Sequence, residues 1–371
     1  MYIGFFRGVC MAVLIKNEKS RDLAWFLAAG IFIGIFAVVL SKMGNPKNMG
    51  ICVACFMRDT AGALGLHGAA AVQYLRPEIP GFLLGAFILS LFKGEWKSQG
   101  GSAPLARFAI AFFVMIGALV FLGCPLRVML RLGGGDLNAL VGLAGFAAGV
   151  GLGSIFLRTG FSLGQEEKQR TVNGLIMPLI AIGLLAFVFI RPAFIKFSAE
   201  GVGSMHAPVL VALAIAFAVG MFIQHSGLCM SGSIRNIFLI KNPGMFFGYA
   251  AIFVAALAGN LILGSFKLGF EGQPVAHNQH IWNFLGMALT GYGSVLIGGC
   301  PLRQMIKSGE GNSDAGVCVL GFLLAGAVAH NFGIAASPQG VPVNGKIAVI
   351  IGFAVITLIA IFATSKAKKA V

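Results

Sequence analysis

Four cysteines of this chain stand in repeated polar settings at the ends of apolar runs. Gly123-Cys124-Pro125-Leu126-Arg127 recurs as Gly299-Cys300-Pro301-Leu302-Arg303, and Gly50-x-Cys52 followed by Arg58 recurs as Gly227-x-Cys229 followed by Arg235. In the first pattern the glycine ends the preceding helix and the proline suits the first position of a new one, where its missing N–H costs nothing. A short helix is therefore expected to begin at each of these cysteines. Its free N–H groups and positive dipole end make an anion site, as in the discontinuous helices of transporters. A thiol in an apolar constriction stays neutral and offers a weak, soft S–H contact that does not repel an anion. Sulfur suits a terminal sulfur or selenium atom better than the hard oxygens of sulfate or phosphate.

Four arginines lie three or six residues beyond these cysteines: Arg58, Arg127, Arg235 and Arg303. A cation at membrane depth is expensive and usually functional, and together the four would surround a path with positive potential. Asp59 is the one acidic neighbour, and its counterpart in the second copy is Asn236. Cys52 and Cys55 form a Cys-x-x-Cys pair on one helical face, open to soft contact, to metal or to a disulfide cycle. Against metal, no second pair completes a site, and Gly232 stands where the second copy would need a cysteine. Cys10 and Cys318 read as small apolar fillers. His225 ends a span before the second break and reads equally as a vestibule residue or a satisfied histidine. His67, His206, His277, His280 and His330 show no metal-ligand spacing, so neither a metal nor any other cofactor is expected.

Positioning these groups requires a membrane scaffold. Of 371 residues 58% are hydrophobic and 11% charged, with a mean hydropathy of +0.90, which marks an integral membrane protein. Apolar stretches such as Leu23 to Ser41 and Leu175 to Ile190 are apolar on every face and approach the roughly 20 residues that cross a bilayer as helix, unlike the alternating strands of a barrel. The residues before the first span carry Arg7 and no small-residue cleavage site, so they read as a cytoplasmic or interfacial segment and not as a cleaved signal. About ten spans follow, the second of them, Pro80 to Phe92, short and expected to start earlier, near Gly68. Gly50 to Leu66 and Gly227 to Ile240 are too polar to face lipid and read as re-entrant or broken helices.

The paired motifs keep nearly one offset, 177 residues (229 minus 52) and 176 (300 minus 124), so the chain reads as an internal duplication. The expected layout is an N-terminal segment at 1–22, a first repeat at 23–192 with breaks at 50–66 and 123–132, a linker at 193–205, a second repeat at 206–364 with breaks at 227–240 and 299–308, and a basic tail at 365–371. Five spans per repeat is an odd number, so the second copy enters inverted and brings the breaks face to face near the midplane. The fold class is thus an all-α membrane protein with two inverted pseudo-symmetric repeats around an hourglass-like pathway.

The net charge of +15 is largely a cytoplasmic collar: Arg7, Lys16, Lys19 and Arg21 before the first span and Lys366, Lys368 and Lys369 after the last. Lys168 and Arg170 fall on the same side. The basic excess therefore reads as topology, with the lipid bilayer as partner and no nucleic acid. Lys42, Lys47, Arg76, Arg191 and Lys196 would lie outside.

The tandem layout, Gly227-x-Cys229-x-Ser231-Gly232-Ser233-x-Arg235, the Cys-Phe-Met-Arg-Asp run from Cys55 to Asp59 and both GCPLR copies resemble the YeeE/YedE family of sulfur-compound transporters, most closely the YedE-type selenium transporters. The resemblance implies cysteines on re-entrant segments that line a constriction and pass thiosulfate by S–H contacts. Residue by residue that role falls on Cys229, Cys300 and Cys124, with Cys52 or Cys55 in the first copy. It implies import, without enzymatic activity, of a small sulfur- or selenium-containing anion across a bacterial inner membrane with both termini cytoplasmic. No nucleotide-binding loop is recognisable, so active uptake would need a gradient or trapping by a cytoplasmic sulfur- or selenium-carrier protein. Two other readings stay open: a membrane thiol-dependent sulfur or selenium transferase or redox enzyme using Cys52 and Cys55 covalently, and a structural subunit of a larger complex.

Overall fold

The computed structural model describes residues 2–369, with side chains from 21 to 365. Cys10, the proposed N-terminal collar before Arg21 and the lysines after Ser365 lie outside the described side chains. The chain is built of helices: α1 (Tyr2–Lys42), α2 (Val53–Ala63), α3 (Glu78–Phe92), α4 (Pro104–Phe121), α5 (Pro125–Gly133), α6 (Asn138–Arg158) and α7 (Thr171–Ile190), then α8 (Val209–Ser226), α9 (Met230–Ile240), α10 (Gly244–Ile262), α11 (His280–Leu296), α12 (Pro301–Gly309), α13 (Ser313–Asn331) and α14 (Val343–Lys369). Among the described residues nine helical stretches are long and apolar enough to cross a membrane, and α3 is a shorter apolar helix. The second span does not begin near Gly68: a single turn covers Ala70–Val72, and Pro77 holds the N-cap of α3. Pro77 explains the late start, because a proline disfavours the helical region for the residue before it, Arg76, whose side chain bonds the carboxylate of Asp59 and the carbonyls of Val202 and Met205.

Small residues set which helices meet. Phe26 and Val38 of α1 lie on Gly248 and Gly259 of α10, so those two helices run parallel, as do α3 and α8, where Gly81 meets Ala216 and Gly85 meets Phe217. Gly145 and Gly149 of α6 likewise follow Phe284 and Ala288 of α11. Glycine at these points lets backbones approach within side-chain radius, the usual way helices associate without a hydrophobic drive in lipid. At the centre α4 and α11 run antiparallel, with Gly117 against Gly286 and Gly293 against Val114. Partners are exchanged between the halves: α1 packs on α10 as α8 packs on α3, and α4 on α13 as α11 on α6. The last helix of each half breaks the pattern, since α7 packs on α3, α12 and α13 while α14 packs on α4 and α11.

We call the membrane face at the end of α1, around Lys42, the upper one. After Lys42 the chain turns inward to Cys52, and α2 returns upward, its end tied by Lys196 N–H to the Ala63 carbonyl. α5 continues upward from Cys124 and ends with Gly134 beside Asn48. On the lower side α9 runs outward from Cys229, and Arg158 at the lower end of α6 donates to the Phe238 carbonyl. α12 descends from Cys300 to Gly311, which meets Lys97. α2 and α9 have 11 residues and α5 and α12 have 9. At 1.5 Å per residue each covers about half of a ~30 Å hydrocarbon core, so all four start near its middle.

Candidate functional site

The four short helices share one construction: the N-cap residues of α2, α5, α9 and α12 are Cys52, Cys124, Cys229 and Cys300. In α2 and α9 the cysteine sulfur accepts a backbone N–H from the third residue on, Cys55 N–H at 3.4 Å and Gly232 N–H at 3.4 Å. In α5 and α12 proline occupies the first turn, and no side chain caps the helix. All four cysteines are buried. The thiols are neighbours in pairs, Cys52 with Cys124 and Cys229 with Cys300. Each half therefore brings a re-entrant tip and a broken-helix tip together, sulfur against sulfur, with two positive dipole ends behind them.

Soft atoms extend the lower pair. Cys300 Sγ lies 3.7 Å from Met230 Sδ, and Cys229 Sγ lies 3.3 Å from the Ser231 hydroxyl. Gly232, which stands in the place of Cys55, has Met245 Sδ where a side chain would begin, 3.2 Å from an ideal Cβ. A thioether from α10 thus supplies the sulfur that the glycine lacks. In the upper pair Cys55 keeps its own thiol, and Cys52 and Cys55 both lie at the tip of α2.

The arginines divide sharply. Arg127 is fully buried. It donates to the Asn48 carbonyl at 2.8 Å, the Val275 carbonyl at 3.2 Å, the Leu122 carbonyl and Cys55 Sγ at 3.6 Å, with no carboxylate among its partners. Leu122 is held at φ 64°, a left-handed conformation costly for a branched side chain, and its counterpart in the second copy is Gly298. Arg58 instead pairs with Asp59 at 2.7 Å, and Asp59 also binds Arg76 at 2.7 Å. Arg303 is clasped by Glu310 at 3.0 Å, with side chains 19% and 21% exposed. Asp59 is therefore not the single acidic neighbour of the four: Glu310 lies seven residues beyond Arg303, and helix α12 turns it back. Arg235 is half-buried and donates to Asn236.

Above Arg127 a cavity of about 580 Å³ opens on the upper face, lined by Lys42, Lys47, Lys267, Asn48, Asn260 and Gln273 with no carboxylate among its lining residues. Asn48 joins the two features, lining the cavity and accepting from Arg127. The lower face is built differently: Gln224 donates to Glu95 at 2.7 Å and holds its carboxyl below the ordinary value.

The remaining singled-out residues fall elsewhere. Cys318 is buried against the Arg107 carbonyl. His277 bonds the Val120 carbonyl, His67 the Arg58 carbonyl, His225 meets the edge of Trp25 and His206 stacks on Tyr74. His280 lies against Phe270 and His330 beside His67. Among the described residues no group of three His, Cys, Asp or Glu side chains could hold a metal. Sequence reasoning missed three buried arginine clamps: Arg76 with Asp59, Arg131 with Asp136 at 2.6 Å, and Arg107 with Asp314 at 3.3 Å. Asp136, five residues past Arg131 with a helical turn between them, was the one local signal.

Residues 225–369 match the family described as sulphur transport. The thiosulfate transporter TsuA of Escherichia coli (strain K12) is 23% identical over 124 residues, 33% of this chain and 35% of that protein. The thiosulfate transporter TsuA of Spirochaeta thermophila is 28% identical over 121 residues, 33% of this chain and 36% of that protein. The aligned stretch therefore spans about a third of each relative's length. The match to the sulphur-transport family thus falls on the second half of the chain, across Cys229, Cys300 and Arg303.

Proposed function

We propose that the chain imports a small, soft sulfur-containing anion such as thiosulfate, or its selenium analogue, along a path that runs from the lysine-lined cavity past the two thiol pairs. The observation that carries this reading is the pairing of four helix N-termini, each with a cysteine at its N-cap position. N-terminal dipoles attract the anion, and neutral thiols contact its soft atom weakly enough to let it leave again. Lys42, Lys47 and Lys267 raise the local anion concentration, and Arg127 offers the next cation below them. With both termini cytoplasmic in a bacterial inner membrane, that cavity faces outward and the direction is inward. Nothing in the site calls for a cofactor or a covalent step, and accumulation then depends on a gradient or on a cytoplasmic sulfur or selenium carrier. The names of the two relatives favour thiosulfate, while the sulfur-lined lower tier suits selenium as well.

The test is uptake of labelled thiosulfate and labelled selenium anions, side by side, into vesicles containing the purified chain. Uptake of thiosulfate that excess thiosulfate suppresses and sulfate does not is the expected result. Vesicles that take up none of these anions contradict the reading.

A further inference from the structure

Tyr249 on α10 is fully buried, and its hydroxyl donates to the Pro125 carbonyl at 2.6 Å, one residue from Cys124. One turn earlier on the same helix, Met245 sets its Sδ against Gly232 beside Cys229. Helix α10 thus touches both tiers, the lower through Met245 and the upper through Tyr249 one turn on. α3, the counterpart of α10, contributes no tyrosine, and its one hydroxyl, Ser90, is turned back to the Phe87 carbonyl. Around the thiols the other side-chain contacts are Met230, the Ser231 hydroxyl on Cys229 in the lower tier and the Arg127 guanidinium on Cys55 in the upper. Thiols are poor donors to hard oxygen, so an anion with a soft end and oxygen atoms that passes between Arg127 and Ser231 would leave its oxygens poorly solvated on the way, which is costly in a dry site. Pro125 has a second use for its carbonyl, since the first residue of a helix accepts the N–H four residues on. Its bond to Tyr249 can therefore be given up without orphaning the oxygen.

We propose that Tyr249 is the gate between the two thiol tiers: at rest it closes the waist by bonding Pro125, and during passage it turns that hydroxyl to the oxygen atoms of the anion. The proposal rests on the transport reading for its second half and on geometry alone for its first. Tyr249 is a positioning and selecting residue for oxygen-bearing anions.

Two measurements separate the parts. In vesicles, Tyr249→Phe keeps the ring and removes the hydroxyl; a lost hydrogen bond to a charged group lowers the maximal rate of thiosulfate uptake about tenfold or more. KM should stay within about twofold, because capture occurs in the lysine cavity above. A wild-type rate in Tyr249→Phe, with a working wild type alongside, overturns the donor role; an inactive wild type overturns the transport reading instead. The second measurement needs no transport: a membrane-impermeant thiosulfonate is added from the lysine-cavity face, and modified cysteines are mapped by peptide mass. Tyr249→Ala should speed modification of Cys229 and Cys300 most, and Tyr249→Phe, which loses the bond to Pro125 but keeps the ring, should speed it by less. Equal labelling in wild type and Tyr249→Ala overturns the gate.

Discussion

Arg127 and Arg303 stand three residues past equivalent cysteines, yet one is sealed from solvent without a carboxylate and the other is held by Glu310 at the lower face. The position that matches Glu310 in the first copy is 134 (310 minus 176), a glycine. Nearby, Leu122 occupies a strained left-handed position that the second copy gives to Gly298, and Arg127 bonds the Leu122 carbonyl. The two halves keep the same helix skeleton and the same thiol pair while their electrostatics have diverged. On the proposed path, an upper tier with an uncompensated cation under a lysine-lined cavity would draw anions in, and a lower tier whose cation is already neutralised would hold them less.

The largest consequence concerns Asp59, which neutralises two buried arginines in the first half where the second half has Asn236 at a half-buried surface. Asp59→Asn leaves Arg58 and Arg76 without a carboxylate and should lower stability by about 3–5 kcal/mol. Asn236→Asp, which creates the missing pair beside Arg235, should change it by less than about 1 kcal/mol. Thermal unfolding in detergent checks both, and equal effects would break the distinction between the halves.

Next in size is the arginine pair itself. Arg127→Met should reduce thiosulfate uptake about 10- to 100-fold, the worth of a charged hydrogen-bonding group in a dry site. Arg303→Met should cost about fivefold or less, because its charge is already offset in a partly exposed pair. Arg127→Lys, which keeps the charge and loses the fork that reaches several carbonyls, should recover part of the loss. Equal losses for the two Met variants would show that the carboxylate at Glu310 does not matter to passage.

Smaller effects belong to the cavity rim. Lys42→Ala or Lys267→Ala should raise KM about two- to fivefold at low ionic strength and leave the maximal rate alone, with the difference fading in high salt as charges are screened. A change confined to the maximal rate would place these lysines off the capture step.

Much of the scaffold was legible in the sequence because membrane helices announce themselves by length and apolarity, and because a proline after Gly-Cys marks a helix start. The cysteine offsets located all four short helices. What stayed hidden is pairing. Glu310 reaches Arg303 only because α12 turns, Asp59 meets Arg76 from a loop 17 residues away, and Asp314 finds Arg107 across the two halves. Long-range ion pairs leave no local period, so of the four arginines read as a bare positive lining two, Arg58 and Arg303, proved to be clasped by carboxylates. Tyr249 was invisible for the same reason: one tyrosine inside an apolar helix reads as filler until its hydroxyl is seen on Pro125. The extra cysteine of the first half found its explanation only when Met245 appeared beside Gly232.

Whether the two thiol tiers lie on one path is tested most directly by labelled thiosulfate uptake in vesicles carrying Cys124→Ala or Cys300→Ala, one substitution in each tier. A single path through both predicts that each variant loses nearly all uptake while staying folded. Wild-type uptake in either one would show that the anion bypasses that tier.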